Sequence, residues 1–218
     1  MRSVPTSPPR LIIFDFDGTL VDSLQAGFQL LQKLQEQYKF RKINTFKDYQ
    51  DLNKLSLPRI FLKLRISPFT LFRLLVTDYK MGIEMLRDCH PYHGVEESVT
   101  QLAKNHTLAI VTSNIGKAVE SYLEEKNLRH HFGLVLGAEH NREKVPKIHK
   151  CLEHFEVEAH EAVFIGDSVR DIRDSKKVPI RSIAVTYGIH SEYELKKEKP
   201  NLIVETALKI PAAILQLA

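Results

Sequence analysis

An uninterrupted apolar run, Leu11-Ile-Ile-Phe, ends directly in Asp15-Phe-Asp-Gly. Four apolar residues without alternation read as a strand buried on both faces, and Gly18 marks a tight turn just beyond it. The pattern recurs downstream. Predicted strands fall at 108–111, 134–136, 162–165, 182–185 and 202–204, with helical spacing near 95–104, 117–126, 147–155 and 169–177 and from 206 onward. Strands alternating with helices predict an α/β fold, a Rossmann-like parallel sheet with helices on both faces. In such a sheet the residues that do chemistry gather just past the carboxyl ends of the strands.

One stretch breaks the rhythm. Between Asp22 and His90 only helical spacing appears: near 23–40 (Leu24, Phe28, Leu31, Leu34, Tyr38), near 47–64 with Pro58 in a first turn or at a break, and after Pro68. The organisation expected is therefore a core from 11–21 and 91–218, an inserted α-helical domain over 22–90, and a disordered lead-in over 1–10, where three prolines fall. The insert holds 12 Lys+Arg against 7 Asp+Glu, a charge of +5 in a chain whose net charge is +4. That excess suits either an anionic partner or a solvated helical face. No arginine-rich tail or basic-aromatic cluster points to nucleic acid. No apolar run approaches a membrane span, and the apolar run after residue 10 is too short for a signal peptide. Two cysteines make no disulfide framework, so a cytoplasmic protein is expected.

The residues beyond the predicted strands form an ordered set. Asp15 and Asp17, one residue apart on extended chain, can project to the same side. Taken alone they read equally well as a turn. Thr112, Ser113 and Asn114 follow the second strand and offer a hydroxyl and open amides, as an ordinary helix cap would. Lys144 lies just before a predicted helix. Asp167 follows the strand ending at Ile165, and Asp171 sits one helical turn further on. Acids converging at strand ends are unfavourable unless a cation or a reaction needs them. Four carboxylates, from Asp15, Asp17, Asp167 and Asp171, have the hard-oxygen composition expected for Mg2+. Nucleophile, metal, cation and phosphate-binding donors are together the parts of phosphoryl transfer to a carboxylate.

These motifs resemble the haloacid dehalogenase-like superfamily of phosphohydrolases. Asp15-Phe-Asp-Gly-Thr-Leu-Val-Asp-Ser is similar to its first motif, Val111-Thr-Ser-Asn to the second, Lys144 to the third, and Gly166-Asp-Ser-Val-Arg-Asp171 to the fourth. Val185-Thr-Tyr-Gly and Leu202-Ile-Val resemble the end of the phosphoglycolate phosphatase-like branch, and the helical insert resembles its cap. The third motif departs from the usual Lys-Pro-x-Pro, reading Lys144-Val-Pro-Lys, so Lys147 is a lesser candidate for the same role.

The resemblance implies a magnesium-dependent phosphatase acting on a small phosphorylated metabolite through an aspartyl phosphate. Asp15 would be the nucleophile and Asp17 the general acid and base. Magnesium would be held by Asp15, the Asp17 carbonyl and Asp167, with Asp171 binding or orienting its waters. Thr112 and the amides of Ser113 and Asn114 would hold the phosphoryl oxygens, Lys144 would neutralise charge, and Gly18 would let the chain turn beneath the phosphate. A phosphomutase of the same fold, or a non-catalytic binding or regulatory member, are the alternatives. Substrate choice is expected in the cap, where Arg59, Lys63, Arg65 and Arg73 are candidates by charge. Cys89, His90 and His93 do not complete a zinc set.

Overall fold

The computed structural model describes residues 8–55, 57–76 and 79–217. Residues 1–7 of the expected lead-in lie outside these. Of its last residues, Pro9 is buried with its carbonyl accepting from His106 Nδ1 at 2.6 Å, and the Arg10 amide donates to the Glu161 carbonyl at 2.7 Å. The chain divides into two compact units, Met1–Asp22 with Pro91–Ala218, and Ser23–His90.

The unit Ser23–His90 is built from helices α1 (Leu24–Tyr38), α2 (Phe46–Asn53), α3 (Leu57–Leu64), α4 (Pro68–Val76) and α5 (Tyr79–Arg87), with no strand among its described residues. Helical spacing put Phe28, Leu31, Leu34 and Tyr38 on one stripe of α1. That stripe joins Phe40, Ile43, Leu52 and Leu64 in a separate core, where the Phe28 and Phe46 rings meet edge to face at 5.9 Å. The helix expected over 47–64 is two helices. Thr45 Oγ1 accepts the Asp48 amide to start α2. Pro58 falls in the first turn of α3, where its missing N–H leaves no carbonyl unpaired.

The other unit carries six parallel strands: β1 (Leu11–Phe14), β2 (Thr107–Val111), β3 (Phe132–Leu136), β4 (Ala162–Gly166), β5 (Arg181–Val185) and β6 (Leu202–Val204), in the order β3-β2-β1-β4-β5-β6. Every residue of β1 and β4 is buried, as their unbroken apolar runs predict. The chain runs outward from β1 to β3, then restarts at β4 on the other side of β1. That reversal opens the crevice between β1 and β4 in which open α/β sheets bind ligands. Phe14 is in register with Ile110 of β2 and Ile165 of β4, so the residues following all three strands reach one edge together. Val21 and Pro91 form an isolated bridge, which brings the two ends of the helical insertion to one place.

Around the sheet lie α6 (Val95–Leu102), α7 (Gly116–Glu125), α8 (Lys144–Phe155), α9 (Val169–Lys177), α10 (Glu192–Lys197) and α11 (Ile210–Gln216). Ile148 and Cys151 of α8 join Leu11, Ile13, Ala109, Val111 and Phe164 in the core on one face, each large aliphatic contributing roughly 1.5–3 kcal/mol by leaving water. Two helices differ from expectation. Helix α8 begins at Lys144 rather than after it, with Pro146 in its first turn. Helix α10 went unpredicted, although Ser191 and Glu194 form the reciprocal cap that signals such a start.

Candidate active site

Three carboxylates meet beyond β1 and β4. Asp15, Asp167 and Asp171 are all buried, and each offers an oxygen within 4.8 Å of the others; no further metal-ligating group of this kind occurs among the described residues. Sheet register explains the meeting, because Asp15 follows Phe14 directly and its amide donates to the Ile165 carbonyl at 2.8 Å. Asp171 reaches the cluster from the first turn of α9, where it closes a reciprocal cap. Its Oδ2 accepts from Ser168 Oγ at 2.6 Å and from the Ser168 amide at 3.1 Å. Asp167 Oδ2 accepts the Ile189 amide at 2.7 Å. The carboxylate fits only because glycines surround it: a Cβ on Gly18, whose φ is +76°, would lie 2.1 Å from Asp167 Oδ2, and one on Gly188 2.2 Å from it.

Lys144 supplies the cation. Its Nζ lies 2.7 Å from Asp15 Oδ2 and 2.6 Å from Asp171 Oδ1, and 5.5 Å from the centre of the Phe164 ring. Burial alone would lower the lysine's pKa, but Asp15 and Asp171 more than reverse that and hold it charged. The acids move the other way. Burial pushes the Asp15 carboxyl up to about 7, with Lys144 opposing and Asp171 and Asp17 adding to the rise. Asp167 is raised well above the carboxylate range by burial, Asp15 and Asp171. With all three acids ionised, the buried group carries three negative charges against one positive. A divalent cation among these oxygens would neutralise the excess, and an all-oxygen donor set with one neighbouring lysine fits magnesium.

Asp17 stands apart from this cluster. It is partly exposed, and its Oδ2 accepts from Asn114 Nδ2 at 3.2 Å. Thr112 is fully buried beyond β2 and Ser113 is exposed. The Asn114 amide, expected from the sequence to face a phosphoryl oxygen, instead donates to Thr112 Oγ1 at 2.9 Å. The compact turn after β2 folds that amide back on the hydroxyl two residues earlier. Lys147 does not share the role of Lys144. Its Nζ is buried and donates to the main-chain carbonyls of Thr112 (2.5 Å) and Gly137 (3.3 Å). Burial and the nearby Lys144 push its pKa down to about 8.

Sequence reasoning quoted Gly188 only within a resemblance and missed that it and Ile189 close one side of Asp167, and it missed the Asn114–Asp17 contact. A glycine after the β5 strand was a visible signal for the first. The second joins residues 97 apart in sequence and left none. The buried Cys89 thiol donates to the Met85 carbonyl at 3.3 Å.

Buried carboxylates and a lysine therefore stand where an open parallel sheet binds its ligand. The haloacid dehalogenase-like hydrolase family model matches residues 12–185, and the chain belongs to that family, on its phosphoglycolate phosphatase-like branch. A phosphoglycolate phosphatase from Synechococcus elongatus is 28% identical over 211 residues, covering 94% of this chain and 97% of the relative. One from Vibrio parahaemolyticus is 28% identical, with 90% and 92% covered. Among solved structures, a haloacid dehalogenase-like family hydrolase from Streptococcus pneumoniae superposes with a TM-score of 0.84 at 19% identity, covering 94% of this chain and 98% of that one. The chain is a haloacid dehalogenase-like phosphatase, an enzyme that hydrolyses phosphate esters.

Proposed function

We propose that the chain hydrolyses a small-molecule phosphate monoester in two steps through a phosphorylated Asp15, with magnesium as its cofactor. The observation that carries the reading is the buried Asp15–Lys144–Asp171 arrangement beside Asp167. It supplies a carboxylate nucleophile, a fixed positive charge and a divalent-metal donor set at the sheet's ligand-binding edge.

In the first step a carboxylate oxygen of Asp15 attacks phosphorus, the bond to the ester oxygen breaks, and Asp17 gives that oxygen a proton. In the second, water attacks phosphorus, Asp17 takes its proton back, and the bond to Asp15 breaks, releasing inorganic phosphate. Lys144 offsets charge on the nucleophile and the phosphoryl group. Thr112 and the Ser113 amide hold phosphoryl oxygens, and Gly18 leaves room beneath them. Asp15 and Asp167, with the Asp17 carbonyl, would hold magnesium, and Asp171 would orient its waters. When bound, the ion offsets phosphoryl charge and keeps the Asp15 carboxyl ionised at neutral pH. We read the unit Ser23–His90 as the cap that selects the ester.

Because relatives of this chain carry the name phosphoglycolate phosphatase, 2-phosphoglycolate heads the panel of esters to test. Release of phosphate from any panel member, dependent on magnesium and abolished by Asp15→Asn, supports the reading. A hydroxylamine-sensitive phosphate on the Asp15 peptide after acid quench tests the intermediate. Turnover by Asp15→Asn within tenfold of wild type would refute it.

A further inference from the structure

Every polar group of Asn114 has a partner. Its amide donates to Thr112 Oγ1 at 2.9 Å, and its carbonyl accepts from the Ala138 amide at 2.8 Å. Its Oδ1 accepts from the Ile115 amide at 2.8 Å, and its Nδ2 donates to Asp17 Oδ2 at 3.2 Å. The Ile115 contact decides which way the side-chain amide points. A half-turn would set Oδ1 against the Asp17 carboxylate, oxygen to oxygen, and strand the Ile115 N–H.

We propose that Asn114 is a positioning residue that aims Asp17 as proton donor and Thr112 as phosphate donor at once; this rests on the phosphatase reading above. An N–H on Oδ2 restrains the plane of the Asp17 carboxyl and disfavours a proton on that oxygen, so the proton passed to the leaving oxygen sits on Oδ1. Asp17 is partly exposed, so losing that contact removes one of the restraints on its carboxyl. On the other side, the Asn114 amide occupies a lone pair of Thr112 Oγ1. The hydroxyl hydrogen is then directed away from the loop, to a phosphoryl oxygen. Lys147 holds the Thr112 carbonyl and the Ala138 amide holds the Asn114 carbonyl, so the loop that carries both functions is braced from β3 and α8.

A simple loop tie would make a different prediction, and the leaving group separates the two. The constant kcat/KM reports the steps through the first phosphoryl transfer. A 4-nitrophenolate leaves without a proton, whereas phenolate, being far more basic, benefits from one. Wild type, Asn114→Asp, Asn114→Ala, Asp17→Asn and the double variant Asp17→Asn/Asn114→Ala are assayed on both aryl phosphates at saturating magnesium, with thermal midpoints recorded. Asn114→Asp keeps the shape and the acceptor for Ile115 but replaces the donor with a like charge.

The expected loss in kcat/KM is about tenfold on the nitrophenyl ester and about a hundredfold on phenyl phosphate for both Asn114 variants. Asp17→Asn shows the same bias, and adding Asn114→Ala to it costs no more on phenyl phosphate than on the nitrophenyl ester, because only the Thr112 contribution is left to lose. Equal losses on both esters from the single Asn114 variants, fully additive losses in the double variant on phenyl phosphate, or full retention of activity would overturn the proposal while leaving the phosphatase reading intact. A wild-type chain that cleaves neither ester overturns both.

Discussion

Asp15→Asn should stabilise the metal-free protein, and by an amount that depends on pH. In the folded chain the Asp15 carboxyl titrates near 7, against an ordinary value of 3.8. An acid whose pKa is raised by folding is penalised wherever it is ionised. Stability is therefore highest below the unfolded value and falls as pH climbs from about 4 to about 7. At pH 8 the penalty is about 4 kcal/mol, and at pH 4 it is under about 1 kcal/mol. The amide removes the penalty while keeping the shape. It also removes a partner of Lys144, but Asp171 Oδ1 stays 2.6 Å away, so the lysine keeps a counter-charge. Urea denaturation in EDTA should show the variant more stable than wild type by about 2–4 kcal/mol at pH 8, with the gain nearly gone at pH 4. Millimolar magnesium should reverse the order at pH 8, because a cation that binds only the folded wild type stabilises it by mass action. A variant less stable than wild type at pH 8, or a gain independent of pH, would show that burial of this carboxylate is not what strains the site.

Chelation with EDTA should abolish hydrolysis of an aryl phosphate and added magnesium should restore it; undiminished rates in chelator would refute the metal reading. Lys144→Ala leaves Asp15 and Asp171 without their cation, so it should cost about 3–5 kcal/mol of stability at pH 8 as well as turnover. Gly188→Ala forces a methyl to within 2.2 Å of Asp167 Oδ2 and 2.5 Å of the Gly18 carbonyl; displacement of Asp167 should lower kcat on the order of 100-fold, which steady-state kinetics would check. Lys63→Ala and Arg59→Ala should change relative rates among phosphate esters while sparing an aryl phosphate; equal losses on every ester would exclude a selective role.

The site was largely legible because a parallel sheet converts sequence position into spatial position. Whatever polar residue follows each apolar run reaches the same edge, so the sequence alone groups Asp15, Thr112 and Asp167. The boundaries were less legible where a proline confused the pattern. Pro146 moved the expected start of α8 past Lys144, although a proline is at home in a first turn. The second lysine of that helix was ambiguous for a geometric reason. Residues three apart lie on neighbouring parts of one helical face, so either amine could have reached the acids. What separates them is partner chemistry: Lys144 meets two carboxylates, Lys147 two carbonyls.

That difference has a consequence for the whole edge of the sheet. Burial first, and repulsion from Lys144 second, push the Lys147 pKa down to about 8, while two carboxylates hold its neighbour charged. Lys144 balances charge within the cluster. The buried Lys147 instead joins the carbonyl of Thr112, beyond β2, to that of Gly137, beyond β3. The acids need the first lysine for electrostatic reasons and the loop beyond β2 needs the second for geometric ones. A chain with Lys-Pro-x-Pro at this point would lack the second tie, and its β2 loop would have to be braced by other contacts.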